Sequence, residues 1–190
     1  MATRGRQEAR GARAGKKKKV TAESKPAAGT PPSDETAPAG ETPKDGAAHV
    51  YLKVTASKSL AGWAVGIRGL PKSRVLADGQ PGASANLLGI LAVCAALDVI
   101  PKKQPVVVHV SSDYVRQGAT EWLPGWQERN WRTKDKKPVA NAEAWQALAE
   151  RLKGRKVRFE KIQEADIPRR ELLESLAKDA AKLRTKAGSG

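Results

Sequence analysis

Apolar residues recur along this chain with two different periods, and they do so only from His49 onward. His49–Val54 alternates polar and apolar side chains, Gly62–Ile67 runs largely apolar over a strand length, and Arg74–Ala77 is a shorter run of the same kind. Each predicts a β-strand. Ser84–Ile100 is apolar with a helical repeat and predicts a helix packed on a sheet. Pro105–Val110 is β-branched throughout its centre, as a buried strand would be. Val115–Leu123 and Ala142–Leu152 predict helices, and Lys156–Ile162 predicts an edge strand. A last helix begins near Pro168, with proline in its first turn, and runs to about Leu183. The order β-β-β-α-β-α-α-β-α predicts an α/β domain.

Residues 1–47 are different material. Met1–Val20 carries Arg4, Arg6, Arg10, Arg13 and Lys16–Lys19 against Glu8 alone. Thr21–Ala47 is rich in Pro, Ala, Thr and Gly and holds more acids than bases. Neither part has the apolar content to offset chain entropy. The expected organisation is therefore a disordered basic arm and linker over 1–47, a folded domain over 48–184 and a flexible tail over 185–190.

The whole chain has 190 residues and a net charge of +15, which favours an anionic partner. No apolar run is long enough to span a bilayer, so no membrane partner is expected, and no secretory signal is recognisable. The single cysteine, Cys94, sits in LLGILAVCAALDVI and reads as a small buried hydrophobe. One cysteine makes no internal disulfide, which suits a reducing compartment. The expected location is intracellular, cytoplasmic or nucleoid-associated. Lys16–Lys19 leaves nuclear import open, and the arginine-rich start leaves an organellar address open. The arm is expected to add nonspecific affinity for nucleic acid.

Between Tyr114 and Leu152 the chain sets Trp122, Trp126, Trp131 and Trp145 among arginines and lysines. Trp122 and Trp126 are four apart and Arg129 lies three further on, so a helix would give them one face. Indoles and cations together suit a nucleic-acid backbone, which needs charge neutralisation and flat apolar contacts. Helical spacing with Leu148 and Leu152 assigns Trp145 to the core. Trp63, within the second strand, is also expected there. Trp126 and Trp131 are flanked by polar residues and are expected at the surface. Trp122 suits either place.

The YVRQG run at Tyr114–Gly118, the Trp122/Trp126/Arg129/Trp131 pattern, Asp135–Val139, Asn141 and Trp145-Gln146 stand at fixed spacing. Together they resemble the substrate-binding handle of ribonuclease HI, a family that cuts the RNA strand of RNA–DNA hybrids. The resemblance extends more faintly from about His49 to about Leu183. It implies the ribonuclease H-like fold, a mixed five-stranded sheet flanked by helices. It also implies that Trp122, Trp126, Arg129, Trp131, Arg132, Lys136, Lys137 and Asn141 contact nucleic acid: an RNA–DNA hybrid, or an RNA or DNA duplex. Gln127 and Glu128 stand where the family often has lysines. Ala83 and Asn86 stand where its phosphate pocket has a threonine and an arginine, so Asn141 alone keeps that pocket.

The family resemblance breaks at the chemistry. Its members hold paired Mg²⁺ ions with four carboxylates, one each from strand one, helix one, the end of strand four and the last helix. Ungapped matching puts Thr55, Leu88, Ser111 and Glu174 at these positions, leaving one carboxylate. Two divalent ions about 4 Å apart need several convergent anionic oxygens. The family's mobile histidine loop corresponds to Gln163–Pro168, which has no histidine.

Three readings remain open at this level. The first is a catalytically silent nucleic-acid-binding module, acting alone or within a larger nucleoprotein assembly and needing no cofactor. The second is an active hybrid-cleaving nuclease whose Mg²⁺ or Mn²⁺ site is displaced towards Asp113 and Glu174. The third is a protein-binding scaffold that keeps the fold for its surfaces.

Overall fold

Alternation along the first strand sorts the two faces of the whole sheet. In the computed structural model, which describes residues 45–58 and 60–187, strand β1 (Ala48–Ala56) buries Val50 and Leu52 in the main core. His49, Tyr51 and Lys53 point to the opposite side, as period-2 geometry requires. Strands β2 (Ala61–Arg68) and β3 (Arg74–Gly79) extend the sheet antiparallel on one flank of β1. On the other flank β4 (Val106–Val110) and β5 (Val157–Lys161) run parallel to it. The order β3-β2-β1-β4-β5 is a mixed five-stranded sheet with β5 at an edge. Sheet and flanking helices match the expected architecture.

Helix α1 (Ala85–Val99) starts at Ser84, whose hydroxyl accepts the Leu87 N–H at 3.2 Å. It is apolar around most of its circumference because it lies between the sheet and α4 (Ala142–Leu152). Helix α5 (Arg170–Ala187) covers the opposite face over β1, β2 and β3. It approaches closely because Gly62 and Gly79 have no side chains. A Cβ on Gly79 would meet the Ala180 carbonyl oxygen at 2.6 Å, and one on Gly62 would collide with that of Ala177.

Several boundaries differ from expectation. The domain begins by Asp45, within the expected linker: Ala47 is buried, and the Asp45 carboxylate accepts the Ala47 N–H at 3.1 Å. Pro168 precedes α5 instead of occupying its first turn, and the helix runs past both Leu183 and the expected domain end at 184. The predicted helix Val115–Leu123 is the middle of a longer one. Helix α2 (Asp113–Gln117) passes through a π turn (Gly118–Trp122) into α3 (Leu123–Glu128). Pro124, which has no N–H to donate back along the helix, lies two residues beyond this turn. The basic arm at Met1–Val20 and most of the linker lie outside the described residues.

The core assignments hold. Trp145 is fully buried and Trp63 is 7% exposed. Cys94 is also buried, and burial pushes its thiol up to about 12. Truncation of Trp145 to alanine is expected to cost about 3–5 kcal/mol, measured by denaturant unfolding. Cys94 should resist a thiol-specific reagent at mildly alkaline pH in the native protein and react stoichiometrically once denaturant is added. Rapid native labelling would contradict the burial.

Candidate functional site

The handle is built on the core. The Tyr114 hydroxyl donates to the Ala140 carbonyl at 3.3 Å, accepts the Trp145 indole N–H at 3.1 Å and accepts the Asn141 amide at 3.4 Å. The Tyr114 ring meets Trp122 at 5.9 Å and Trp145 at 5.6 Å between centroids. Trp126 completes the cluster, 5.6 Å from Trp122 and 5.4 Å from Trp145. Gly118 permits this, since a Cβ there would collide with the Trp145 ring. Trp126, expected as a surface contact, is thus half-buried and packs on the core. Trp122 is half-buried too.

Beyond α3 the chain turns sharply. Asn130 and Trp131 both adopt left-handed backbone, with φ of 50° and 60°. The turn is closed by the Trp131 N–H donating to the Trp126 carbonyl at 2.7 Å and the Val139 N–H to the Trp131 carbonyl at 3.0 Å. Between them Arg132 bridges to Pro138, and the Thr133 N–H donates to the Lys137 carbonyl at 2.8 Å. Arg132 also donates from its guanidinium to the Lys136 carbonyl at 2.9 Å. The result is a braced loop carrying Lys134, Lys136 and Lys137 on its exposed side, with Arg129 and Arg132 exposed beside it. Trp131 is half-buried against the core. Buried Val139 anchors the loop's return. Asn141, also left-handed, sits half-buried before α4, whereas Asn86 is exposed at the start of α1.

A second feature is a cleft of about 560 Å³ at the C-terminal ends of β1 and β4, lined among others by Lys53, Gly89, Ser111, Lys161 and Glu164. The parallel register pairs Tyr51 with His109. Carried two residues further, it brings Lys53 level with Ser111. Thr55, two residues beyond Lys53, pairs with Gly62 and does not line the cleft. On α1 the lining residues are Ala85 and Gly89, four apart on one face, while Leu88 is fully buried in the core. Neither Thr55 nor Leu88 therefore reaches the cleft, which strand one lines with Leu52, Lys53 and Val54 and helix one with Ala85 and Gly89. Ser111 does line the cleft.

Lys53 is the residue that sequence matching missed. Its ammonium donates to Glu164 at 2.7 Å, and its side chain is only 12% exposed. Glu164 belongs to a short 3₁₀ turn, Glu164–Asp166, in the segment corresponding to the family's histidine loop. Across the cleft mouth Lys161 donates to Asp113 at 2.8 Å, and Arg116 lies 3.6 Å from the same carboxylate. The Lys161 hydrogen bond chiefly holds the Asp113 carboxyl below its usual range. Glu174 accepts from Lys178 at 2.8 Å and pairs with Arg170 at 3.8 Å. The Lys178 hydrogen bond chiefly lowers the Glu174 carboxyl as well, and the Lys53 charge adds to the effect. Alternation along β1, with His49, Tyr51 and Lys53 sharing a polar face, was the available signal for Lys53.

This donor set does not fit a pair of divalent ions. Among the described residues no three His, Cys, Asp or Glu side chains group closely enough to hold a metal. The nearby carboxylates Asp113, Glu164 and Glu174 each neutralise a lysine already. Two Mg²⁺ would add four positive charges beside the Lys53 ammonium with little anionic oxygen to offset them.

Among the described residues no helix is long and apolar enough to cross a membrane. A family model described as RNase H matches residues 45–181. A ribonuclease H of Bradyrhizobium sp. (strain ORS 278) is 38% identical over 119 residues, covering 62% of this chain and 77% of that protein. Solved structures similar in fold include LC9-RNase H1, a type 1 RNase H with the type 2 active-site motif. It is 20% identical with a TM-score of 0.58, over 71% of this chain and 72% of that one. LC11-RNase H1, solved in complex with an RNA/DNA hybrid, is 16% identical with a TM-score of 0.52, over 72% and 98% of the two chains. Fold, sheet order and family match agree: the chain belongs to the RNase H family.

Proposed function

We propose that this chain is a nucleic-acid-binding RNase H family member that grips an RNA–DNA hybrid or a structured duplex through its handle without cutting it. The observation that carries this reading is the cleft, which Lys53 lines from strand one, Gly89 from helix one and Ser111 from the end of strand four. A site that supplies one ammonium and no carboxylate at those positions has no means of assembling two metals. The handle supports the binding half of the reading. Its basic loop is braced by backbone hydrogen bonds and needs little ordering when it meets a phosphate chain. The hybrid-bound LC11-RNase H1 supports the choice of ligand. A role within a larger nucleoprotein assembly and an intracellular location belong to the same proposal, and the +15 charge favours an anionic partner in either setting.

The decisive experiment is cleavage and binding of a labelled RNA–DNA hybrid read in parallel. The expected outcome is retention of hybrid with no product above background in Mg²⁺ or Mn²⁺. Thermal unfolding should likewise show no upward shift at about 10 mM of either ion, since a ligand that binds the native state raises its stability by mass action. Metal-dependent cleavage that disappears in Asp113→Asn or Glu174→Gln would establish the active-nuclease reading instead.

Within the handle, replacing Lys136 and Lys137 together by alanine should lower the slope of log affinity against log salt by about 0.9 for each phosphate that is no longer neutralised. Trp131→Ala should weaken binding about tenfold if the indole stacks on sugar or base. Unchanged affinity and slope in both variants would move the protein-scaffold reading into first place.

A further inference from the structure

The cleft does more than lack metal ligands; it holds a fixed cation in their stead. We infer that Lys53 is a phosphodiester-binding residue, so that a backbone phosphate of the bound nucleic acid sits in the cleft directly on its ammonium, with no divalent ion between. This deepens the binding function proposed above and rests on it. Three observations lead here. The Lys53 side chain is 12% exposed, and its ammonium makes a 2.7 Å contact to an oxyanion, the Glu164 carboxylate. That carboxylate, 56% exposed on a short turn at the cleft wall, occupies a place an incoming phosphate oxygen can take. The Ser111 and Ser112 residues on the same wall supply neutral hydroxyls, which a phosphate tolerates and a metal pair does not prefer.

A lysine is a compact point charge suited to a phosphate oxygen. In the free protein Glu164 neutralises it, so binding exchanges one oxyanion for another, and removing Glu164's charge removes the competitor.

The test is RNA–DNA hybrid binding by the full chain at fixed ionic strength, read by fluorescence anisotropy, once in EDTA and once in Mg²⁺. Equal affinity in the two buffers is expected. Lys53→Met, which keeps the aliphatic stem, should weaken binding about tenfold or more, in line with removal of a charge-assisted hydrogen bond. Lys53→Arg should retain most of it. Glu164→Gln should tighten binding, an increase that no folding defect produces. Binding by the parent chain that is indifferent to both Lys53→Met and Glu164→Gln would make the cleft a bystander and overturn the inference, while the handle reading would stand. Affinity that requires Mg²⁺ would also overturn it. A parent chain that fails to bind hybrid or duplex at all would overturn both.

Discussion

The parallel pairing of β1 with β4 is the constraint from which the rest of the molecule takes its position. It joins the antiparallel meander β1–β3 to the flank β4–β5, and its register fixes which side chains stand at the strand ends. On one face it lays Val50 and Leu52 beside Val106, Val108 and Val110 under α1. On the other it stacks Tyr51 on His109, with ring centroids 4.5 Å apart and planes within 5°. His49 continues the stack, its ring nitrogen 2.9 Å from that of His109. Burial leads in holding His109 below its ordinary pKa, which disfavours a charged ring within the stack. A one-residue slip would exchange the two faces, so the position of Lys53 at the cleft is as strongly specified as the core itself.

From β4 the chain enters the α2–α3 helix, and this connects the cleft to the handle. Ser111 and Ser112 line the cleft, Asp113 starts the helix at its mouth, and Tyr114 one residue later is the centre of the aromatic cluster. The π turn at Gly118–Trp122 lets the helix rest directly on the Trp145 ring. A basic loop raised on such a base is placed by packing, and the same rigidity sets its distance from the cleft.

Much of this was legible in the sequence because its signals are local. Alternation along β1, the β-branched run of β4 and the apolar repeat of α1 each report burial within a few residues. The handle was legible because its tryptophans and basic residues stand at fixed spacing. Lys53 and Gly89 were not, and the reason is physical. Their position at the cleft depends on strand register and helix phase, which are set by long-range pairing. Matching Thr55 and Leu88 by sequence alone cannot see that the β1–β4 register sets Lys53 level with Ser111, and a helix shifted by one residue exchanges cleft for core, as Leu88 and Gly89 show. The packing of half-buried Trp126 on the core was missed for a related cause. Its sequence neighbours are polar, but its contacts, Trp122 and Trp145, come from one helical turn and from another helix.

The two halves of the family pattern also differ in what they contribute to folding. Trp145 belongs to the core, Gly118 is buried against its ring, and Tyr114 and Trp126 pack on it half-buried, so packing accounts for much of their presence whether or not the chain binds anything. Convergent carboxylates do the opposite: unpaired by metal they repel one another and raise each other's pKa, so they cost a fold stability wherever no metal holds them together. The persistent tryptophans are therefore weaker support for binding than they look. The residues whose presence packing does not explain are Lys134, Lys136 and Lys137, exposed on a loop whose hydrogen bonds are made by backbone and by the Arg129, Arg132 and Thr133 side chains. Lys53 adds to them from the opposite direction, a charge in a largely buried place where an uncharged side chain would fold at less cost. The proposed binding role, and not packing, is what accounts for those four ammonium groups.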